Sequence, residues 1–172
     1  NLLSREQIDA ANIPVLYVQL ASGQNGTLTP YPGEGIGQTW LSADGATITT
    51  DQGILKASRG LGDDMMGSKS SMPTWSKIKS EKQNFSREVS YITGNNSISV
   101  RIFECNIQKT RNMEVIEIWG KYFKTTKFEE ICLDGGLKIE NYYYVDIQAI
   151  VRRSLQYHSE TIGSILLERL DK

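Results

Sequence analysis

Hydrophobic and polar positions alternate along most of the chain with the two-residue period of half-buried strands. The alternation runs through four long segments, 84–93, 97–109, 113–119 and 121–133, in which β-branched and aromatic side chains are frequent. Sequences rich in glycine, asparagine and aspartate separate many of the apolar segments, and such sequences are typical of turns. The pattern predicts a mainly β protein of antiparallel strands with short connections.

The N-terminal residues depart from this pattern. Ser4-Arg5-Glu6-Gln7 has the form of a capping box, and we expect a short helix that ends before Pro14, because proline lacks the amide donor that a helix needs. A largely buried strand is predicted over 15–20. Residues 22–37 are rich in glycine, proline, threonine and asparagine, so we expect a loop or an irregular hairpin there.

Two tight turns organise the next segment. Asp44-Gly45 predicts a hairpin between 40–42 and 47–50, because these residue types accept the positive backbone dihedrals of a two-residue turn. Asp51-Gln52-Gly53 predicts a second turn, which is followed by a strand over 54–58. Strands joined by such short turns form an antiparallel meander, since a parallel pair needs a longer crossover.

The remaining interruptions are predicted at these positions: a loop over 60–67 that the polar residues 68–71 continue, turns at 94–96 and 134–136, a break at 110–112, and a bend or bulge at Gly120. The segment 161–170 fits a strand and also a helical face, and we favour a strand. The count reaches about nine strands or more, and a sheet of that size curls because strand twist accumulates. We therefore predict a large antiparallel meander sheet curled into a partly open barrel, with a short N-terminal helix, as one domain over 1–172.

The charge balance identifies no partner, and no nucleic-acid partner is predicted. Lys plus Arg number 19 and Asp plus Glu number 20, so the chain has no strong field to attract nucleic acid or an anionic membrane surface. The sequence contains no run of about 20 apolar residues, which a transmembrane helix requires. The chain begins at Asn1 without an initiator methionine, and we interpret it as a processed or trimmed secretory protein.

Cys105 and Cys132 are the two cysteines, and they lie in separate apolar segments without the spacing of a zinc or thioredoxin-type site. They are either two buried thiols or one disulfide, which an oxidising compartment would permit. No metal or other cofactor is predicted.

Residues suited to catalysis are sparse. His158 is the single histidine, it lies in a polar setting, and no GxSxG motif accompanies it. Asp63-Asp64 is an acidic pair in a glycine-rich loop, for which we expect a structural or solvated role. Residues 33–37 resemble a phosphate loop only superficially, because two prolines precede them and no helix follows. We predict a protein that is not an enzyme.

Several aromatic residues raise the question of sugar binding. Their flat faces can stack on sugar rings, although in a sheet-rich fold most aromatic rings pack in the core or against neighbouring strands. The residues concerned are Trp75, Trp119, Tyr122, Tyr142, Tyr143 and Tyr144.

Two blocks of sequence resemble one protein family. The first block is Trp40-Leu41-Ser42-Ala43-Asp44-Gly45 followed by Ile48, Gly53 and Leu55 and then by Arg59 to Met65. The second is Asn141 to Asp146 followed by Val151 to Gln156, which is similar to a "YxVD … VxRSxQ" strand pair. In this order they resemble the YjbF/GfcB group 4 capsule lipoprotein family. We expect structural roles for the signature residues Trp40, Asp44, Gly45, Gly60, Gly62, Tyr144 and Asp146.

The chain departs from the family pattern in two places. Residues 147–150 contain no glycine where the family commonly has a glycine-containing turn. The lipid-bearing cysteine of a lipoprotein is also missing from the start, and neither Cys105 nor Cys132 can replace it. We therefore expect that the chain was trimmed after the anchor site.

The resemblance implies a role in the bacterial envelope. It implies a non-catalytic lipoprotein, held at the outer membrane by a lipid and facing the periplasm, that takes part in capsule or exopolysaccharide assembly or export. Its expected partners are the polysaccharide or other secretion components, and the oligomeric state is left open. Candidate contact residues are Trp75, Tyr142, Tyr143, Arg152 and Arg153.

Two alternative functions predict different structures. A lipocalin-like carrier of a lipid would enclose a continuous apolar cavity inside the curled sheet. A polysaccharide-modifying enzyme would need two carboxylates at the separation suited to acid and base catalysis, and the spacing of the glutamates identifies no such pair.

Overall fold

Twelve antiparallel strands form one sheet in the computed structural model, which describes residues 3–33, 35 and 37–171. The described residues begin with the helix α1 (Arg5–Ala11) and include a 3₁₀ turn over Trp75–Lys77. The strands are β1 (Leu16–Gln19), β2 (Asn25–Tyr31), β3 (Gln38–Leu41), β4 (Thr47–Asp51), β5 (Ile54–Arg59), β6 (Met65–Ser70), β7 (Gln83–Ile92), β8 (Ile98–Ile118), β9 (Lys121–Asp134), β10 (Leu137–Asp146), β11 (Val151–Ser159) and β12 (Gly163–Arg169). Two residues of the phosphate-loop-like segment, Glu34 and Ile36, lie outside the described residues.

The strand order in the sheet is β5-β4-β3-β2-β1-β12-β11-β10-β9-β8-β7-β6. Strands that are consecutive in sequence are paired, with the exception of β5 and β6. β1 pairs with β12, so the first and last strands are neighbours, and the two free edges of the sheet are β5 and β6. These two edges lie against each other and nearly close the sheet into a barrel. The predicted fold, a curled antiparallel meander with a short N-terminal helix, is confirmed.

The start of the chain folds as its residue types predict. The Ser4 amide donates to the Gln7 side chain at 2.8 Å, and the Gln7 amide donates to the Ser4 hydroxyl at 3.2 Å, which completes the capping box. The helix is capped at its end by Asn12 in the left-handed conformation, two residues before Pro14. The hairpin interpretation of 22–37 is correct, since β2 pairs with β1 there.

Three predicted interruptions are wrong in detail. The polar residues 68–70 belong to strand β6 and not to a loop. The predicted interruption of the sheet lies between β5 and β6, which form no ladder. Residues 110–112 are an irregularity inside the single long strand β8. Gly120 does not mark a bend or bulge: Trp119 and Gly120, with φ of 50° and 79°, form the two-residue turn between β8 and β9. The strand predicted over 161–170 is confirmed as β12.

The far end of the β8–β9 hairpin packs against the N- and C-terminal parts of the chain. It extends beyond the end of β10, and its Ile116 and Ile118 form a second apolar cluster with Ile8 of α1 and Leu170 after β12. Lys121 near the turn contributes an ion pair to Asp9 of α1 at 2.6 Å. The hairpin and α1 therefore cover a part of the barrel that would otherwise expose apolar residues.

Side chains fill the barrel interior, including a buried polar cluster. Glu130 accepts hydrogen bonds from Arg87 at 2.6 Å and 3.1 Å, from Asn141 at 3.1 Å and from Tyr143 at 2.6 Å. Both carboxylate oxygens are thus satisfied, as a buried charge requires. A nearby internal void, lined in part by Arg87 and Asn141, measures about 20 Å³, which is room for roughly one water molecule.

Cys105 and Cys132 face each other directly on β8 and β9, with their Cα atoms 4.0 Å apart. The structure joins their sulfurs, so of the two alternatives left open by the sequence the disulfide is the one present. It links the two longest strands inside the barrel.

Side chains close the seam between β5 and β6. The Ser58 hydroxyl of β5 accepts the Met65 amide of β6 at 3.0 Å and lies 3.1 Å from Asp64. Gln156 of β11 reaches across the interior, where it accepts the Leu55 amide at 2.9 Å. These side chains satisfy backbone groups that a neighbouring strand would bind in a complete ladder.

His158 of β11 completes the seam. Its Nε2 lies 2.8 Å from the Ser58 oxygen and its Nδ1 lies 3.0 Å from the Ser159 oxygen. The single hydroxyl proton of Ser58 goes to the Asp64 carboxylate, so Nε2 carries a proton and donates, while Nδ1 accepts from Ser159. Every group is satisfied with a neutral imidazole. Burial lowers the pKa of His158 to about 4, although the Asp64 and Asp63 charges oppose this shift.

We expect His158 to make the fold sensitive to acid. Its pKa is about 4 in the folded chain and about 6.5 when unfolded, so the unfolded chain binds more protons between these values. The free energy of unfolding should therefore fall by up to about 3 kcal/mol as the pH drops from 6.5 to 4. Urea unfolding of the wild type and of His158→Gln across this range checks it. An equal pH dependence in the two proteins would contradict the assignment.

The turn between β10 and β11 offers a second test. Ala149 has φ of 63°, a conformation that costs about 1 kcal/mol or more for residues with a Cβ. This turn is the one in which the sequence departs from the glycine common in the family. Ala149→Gly should stabilise the protein by about 1 kcal/mol in urea unfolding. Ala43→Gly, in a turn without positive φ at that residue, is the matched control and should destabilise slightly.

Candidate functional site

Three of the five predicted contact residues are buried. Trp75 packs its ring 5.1 Å from that of Tyr143 and donates its indole N–H to the Gln52 carbonyl at 3.0 Å. Tyr143 is completely buried, and burial together with the Glu130 charge raises its pKa well above the usual value. Arg152 is 3% exposed and pairs with Asp146 at 2.6 Å. These side chains hold the fold together, and a role in contacting polysaccharide stays an untested prediction for them.

The other two predicted contact residues reach the outer face of the sheet. Tyr142 is partly exposed, carries the Lys127 ammonium 4.9 Å from its ring centre, and donates its hydroxyl to Glu140 at 3.0 Å. Arg153 pairs with Glu168 at 2.7 Å and is partly exposed. Ligand contact by these two residues stays a prediction as well.

The family-signature residues form turns and core contacts. Asp146 accepts two amides of its own turn, those of Gln148 at 2.9 Å and Ile150 at 3.0 Å. Asp44 is bonded to the Ser42 hydroxyl in the β3–β4 turn. The remaining members lie as follows: Trp40 is buried, Gly45, Gly60 and Gly62 have positive φ in loops, and Tyr144 is partly buried beside the second apolar cluster.

Ser58 and His158 resemble a catalytic pair, but their geometry is unsuited to that chemistry. A general base must accept the serine proton, whereas the Ser58 hydroxyl donates to the Asp64 carboxylate, which leaves Nε2 of His158 as the donor to Ser58. Ser58 is 1% exposed and His158 is 0% exposed, so a substrate does not reach either group. Their arrangement is suited to closing the barrel.

One group of side chains in the described residues has the spacing of metal ligands, and it consists of Cys105, Glu130 and Cys132. The two sulfurs are joined in the disulfide, and the Glu130 oxygens are occupied by the buried donors. Asp63 and Asp64 also bind protein groups, namely the Thr161 hydroxyl and the amides of the β5–β6 loop. Neither of these two groups therefore fits a metal site.

The barrel wall has an opening at one end, which we call the notch. β9 stops at Asp134, so residues 98–102 of β8 have no partner strand on that side. After Leu155, toward its C-terminal end, β11 is no longer paired with β10. The Tyr157 amide donates instead to the Asn141 side chain at 2.7 Å. The notch has a volume of about 250 Å³. It is lined by Asp63, Tyr91, Ile92, Thr93, Ser99, Arg101, Tyr157, Ser159, Glu160 and Thr161.

Tyrosines form part of the notch lining, and charges lie around it. Tyr91 and Tyr157 line both the notch and the internal void, and burial raises the pKa of each hydroxyl, so both are neutral at physiological pH. Arg101 bridges the opening through ion pairs to Asp134 at 3.1 Å and Glu160 at 2.6 Å. Asp63 also lines the notch, so three carboxylates and one guanidinium lie in or beside it, which leaves an excess of negative charge.

A second cleft, of about 300 Å³, lies at the opposite end of the barrel. Its lining is more apolar and includes Trp40, Leu167 and Val151. Arg169 lies 5.0 Å from the Trp40 ring centre and covers the aromatic face.

Sequence reasoning did not find the notch. Its residues come from three distant regions, and their proximity depends on strand register. One signal was present: Ile98, Val100 and Ile102 are apolar, and they alternate with the polar residues Ser99 and Arg101. This alternation identifies the strand, but it does not reveal that the apolar side faces solvent.

No helix in the described part of the chain has the length and hydropathy needed to cross a membrane. Among curated protein sequences, none matches the chain significantly. The crystal structure of the hypothetical lipoprotein YmcC from Escherichia coli K12 superposes with a TM-score of 0.86. It is 19% identical, the match covers 100% of this chain and 90% of that one, and at this identity the likeness shows a shared fold.

The sequence resemblance is confirmed by comparison with protein families. The family described as group 4 capsule polysaccharide lipoprotein gfcB, YjbF, matches residues 1–170. Because this match spans nearly the whole chain, the protein belongs to the YjbF family of group 4 capsule polysaccharide lipoproteins.

Proposed function

We propose that the protein is a non-catalytic lipoprotein of the bacterial outer membrane that takes part in the assembly or export of group 4 capsule or a related exopolysaccharide. The observation that carries the proposal is the family match over residues 1–170. A lipid at the N-terminus of the full-length protein would hold the barrel at the membrane, on the periplasmic side. Its partners are the polysaccharide or other components of the secretion machinery.

The buried reactive groups support a non-catalytic role. His158 donates from Nε2 in the seam, and Glu130 is satisfied by Arg87, Asn141 and Tyr143. A catalytic acid needs access to substrate and a protonation state that changes during the reaction. Both groups are closed off from solvent.

The filled interior argues against the lipid-carrier alternative. Ligand pockets usually measure about 300–1,000 Å³ and bury most of the ligand, whereas the internal void measures about 20 Å³. The cleft beside Trp40 is large enough for a small apolar group, but it is open and partly covered by Arg169. Mass spectrometry of lipid extracts from protein purified out of its own envelope tests this alternative, and a stoichiometric lipid would favour it.

The outer face around Tyr142 and Arg153 is the proposed contact surface. Tyrosine and arginine offer a flat ring and fixed donors, which suit sugar rings and carboxylates. Both lie on the outer face of the sheet, on β10 and β11, and are partly exposed. Of the residues predicted as contacts, these two are the ones that a large partner reaches without unfolding the barrel.

We expect deletion of the gene in the source organism to abolish surface polysaccharide, because the export machinery would lack one component. Immunodetection of polysaccharide on intact cells measures this. Complementation with the lipidated protein should restore it, and complementation with a secreted form that lacks the anchor should not. The double variant Tyr142→Ala, Arg153→Ala should remain near the deletion level.

Tyr122→Ala is the matched control, since Tyr122 is 71% exposed on the same barrel and outside the proposed surface. It should restore polysaccharide fully. Thermal unfolding of the purified variants checks that they fold. Unchanged surface polysaccharide in the deletion strain, in the absence of a second family member, would overturn the proposed function.

A further inference from the structure

The free edge of β8 at the notch has the properties of a docking site for an extended peptide segment. Residues 104–109 of β8 are paired with β9, but residues 98–102 extend beyond Asp134, the last residue of that strand. On the other side, the same residues pair with β7 without a bulge. This segment is therefore the edge of a regular sheet, with half of its backbone groups facing the opening.

The register fixes which backbone groups are free. Cys105 and Cys132 have Cα atoms 4.0 Å apart, a spacing that identifies a pair without mutual backbone bonds. The even-numbered residues of this part of β8 consequently point their N–H and C=O groups toward β9. The bond from the Thr93 amide to the Ser97 carbonyl agrees, since it directs the odd-numbered residues toward β7.

Three residues combine a free backbone with an exposed apolar side chain. Ile98, Val100 and Ile102 point N–H and C=O groups into the opening, and no described residue binds them. Their side chains are 66%, 53% and 60% exposed. Proteins usually protect an exposed apolar edge of this kind, because it pairs readily with another strand.

The negative charge of the notch indicates which side chains a bound segment would have. An added strand would place alternate side chains outward beside Val100 and inward toward Arg101 and Ser99. The inward side chains would meet Asp63, Asp134 and Glu160, which outnumber the single guanidinium. Lysine or arginine at these inward positions complements the excess negative charge.

We propose that residues 98–102 bind an extended segment of a partner protein in which apolar residues alternate with lysine or arginine. The segment adds as a strand to the edge of β8 and forms backbone hydrogen bonds with Val100 and its neighbours. Its apolar side chains lie on the outer face, beside those of Ile98, Val100 and Ile102. Its basic side chains enter the notch. This interaction surface is independent of the polysaccharide role.

The test uses a fluorescent, capped peptide of about eight residues in which valine alternates with lysine, and anisotropy as the readout. Saturable binding to the wild type is expected, and it should weaken as salt screens the carboxylates. A peptide with glutamate in place of lysine, and one with methylated backbone amides, should bind at least about tenfold more weakly. Equal binding of either control peptide, or no saturation at millimolar peptide, would overturn the proposal.

Val100→Pro removes the free N–H without breaking the ladder to β7, since proline is tolerated where the N–H of an edge strand faces solvent. This variant should bind the valine-lysine peptide at least about tenfold more weakly than the wild type does. Val115→Pro is the control, because Val115 is 56% exposed on the same strand and its N–H also faces away from β9. It should bind as the wild type does.

Sedimentation at increasing protein concentration tests whether a second copy of the chain occupies the edge instead. A monomer supports the proposal, whereas a dimer that Val100→Pro dissociates would overturn it in favour of self-pairing. The peptide comparisons on the wild-type protein do not depend on the folding of either proline variant.

Discussion

The structure depends on how a twelve-stranded sheet closes when its two free edges cannot form a ladder. β5 and β6 are neighbours in sequence, yet side chains rather than backbone bonds join them: the Ser58 hydroxyl accepts the Met65 amide, and Gln156 accepts the Leu55 amide from across the barrel. His158 locks Ser58 in place. A buried polar group left without a partner costs about 1–3 kcal/mol, so each member of this seam stabilises the closed form over an open sheet.

Closure and a filled interior limit what the barrel can do. The Glu130 cluster, the disulfide and the stacked rings around Trp75 occupy the space that a carrier would keep open. Ser58 and His158, which resemble a catalytic pair, are buried and hydrogen-bonded within the same interior. Three features of the described residues are open to solvent: the outer face with Tyr142 and Arg153, the cleft beside Trp40, and the notch where the wall is incomplete.

The family signature is explained by loops and closure more than by a site. Asp64 and Asp146 each accept backbone amides of the loop in which they lie. Gly53, between β4 and β5, packs so closely on Val151 that a Cβ would overlap its side chain. These positions define the barrel, which is why the resemblance identified the family and the fold without identifying contact residues.

The sequence by itself determined the strand alternation, the capped helix, the hairpins at Asp44-Gly45 and Asp51-Gln52-Gly53, and the family, because each depends on residues close together in the chain. It was misleading at Gly120, where the turn and a bulge have the same local composition. Only the tertiary structure decided that Trp75, Tyr143 and Arg152 are buried, that the cysteines are joined, and that β8 has a free edge. Those features depend on the register and length of strands far apart in sequence, and a two-residue period shows that a side chain alternates without showing which face is covered.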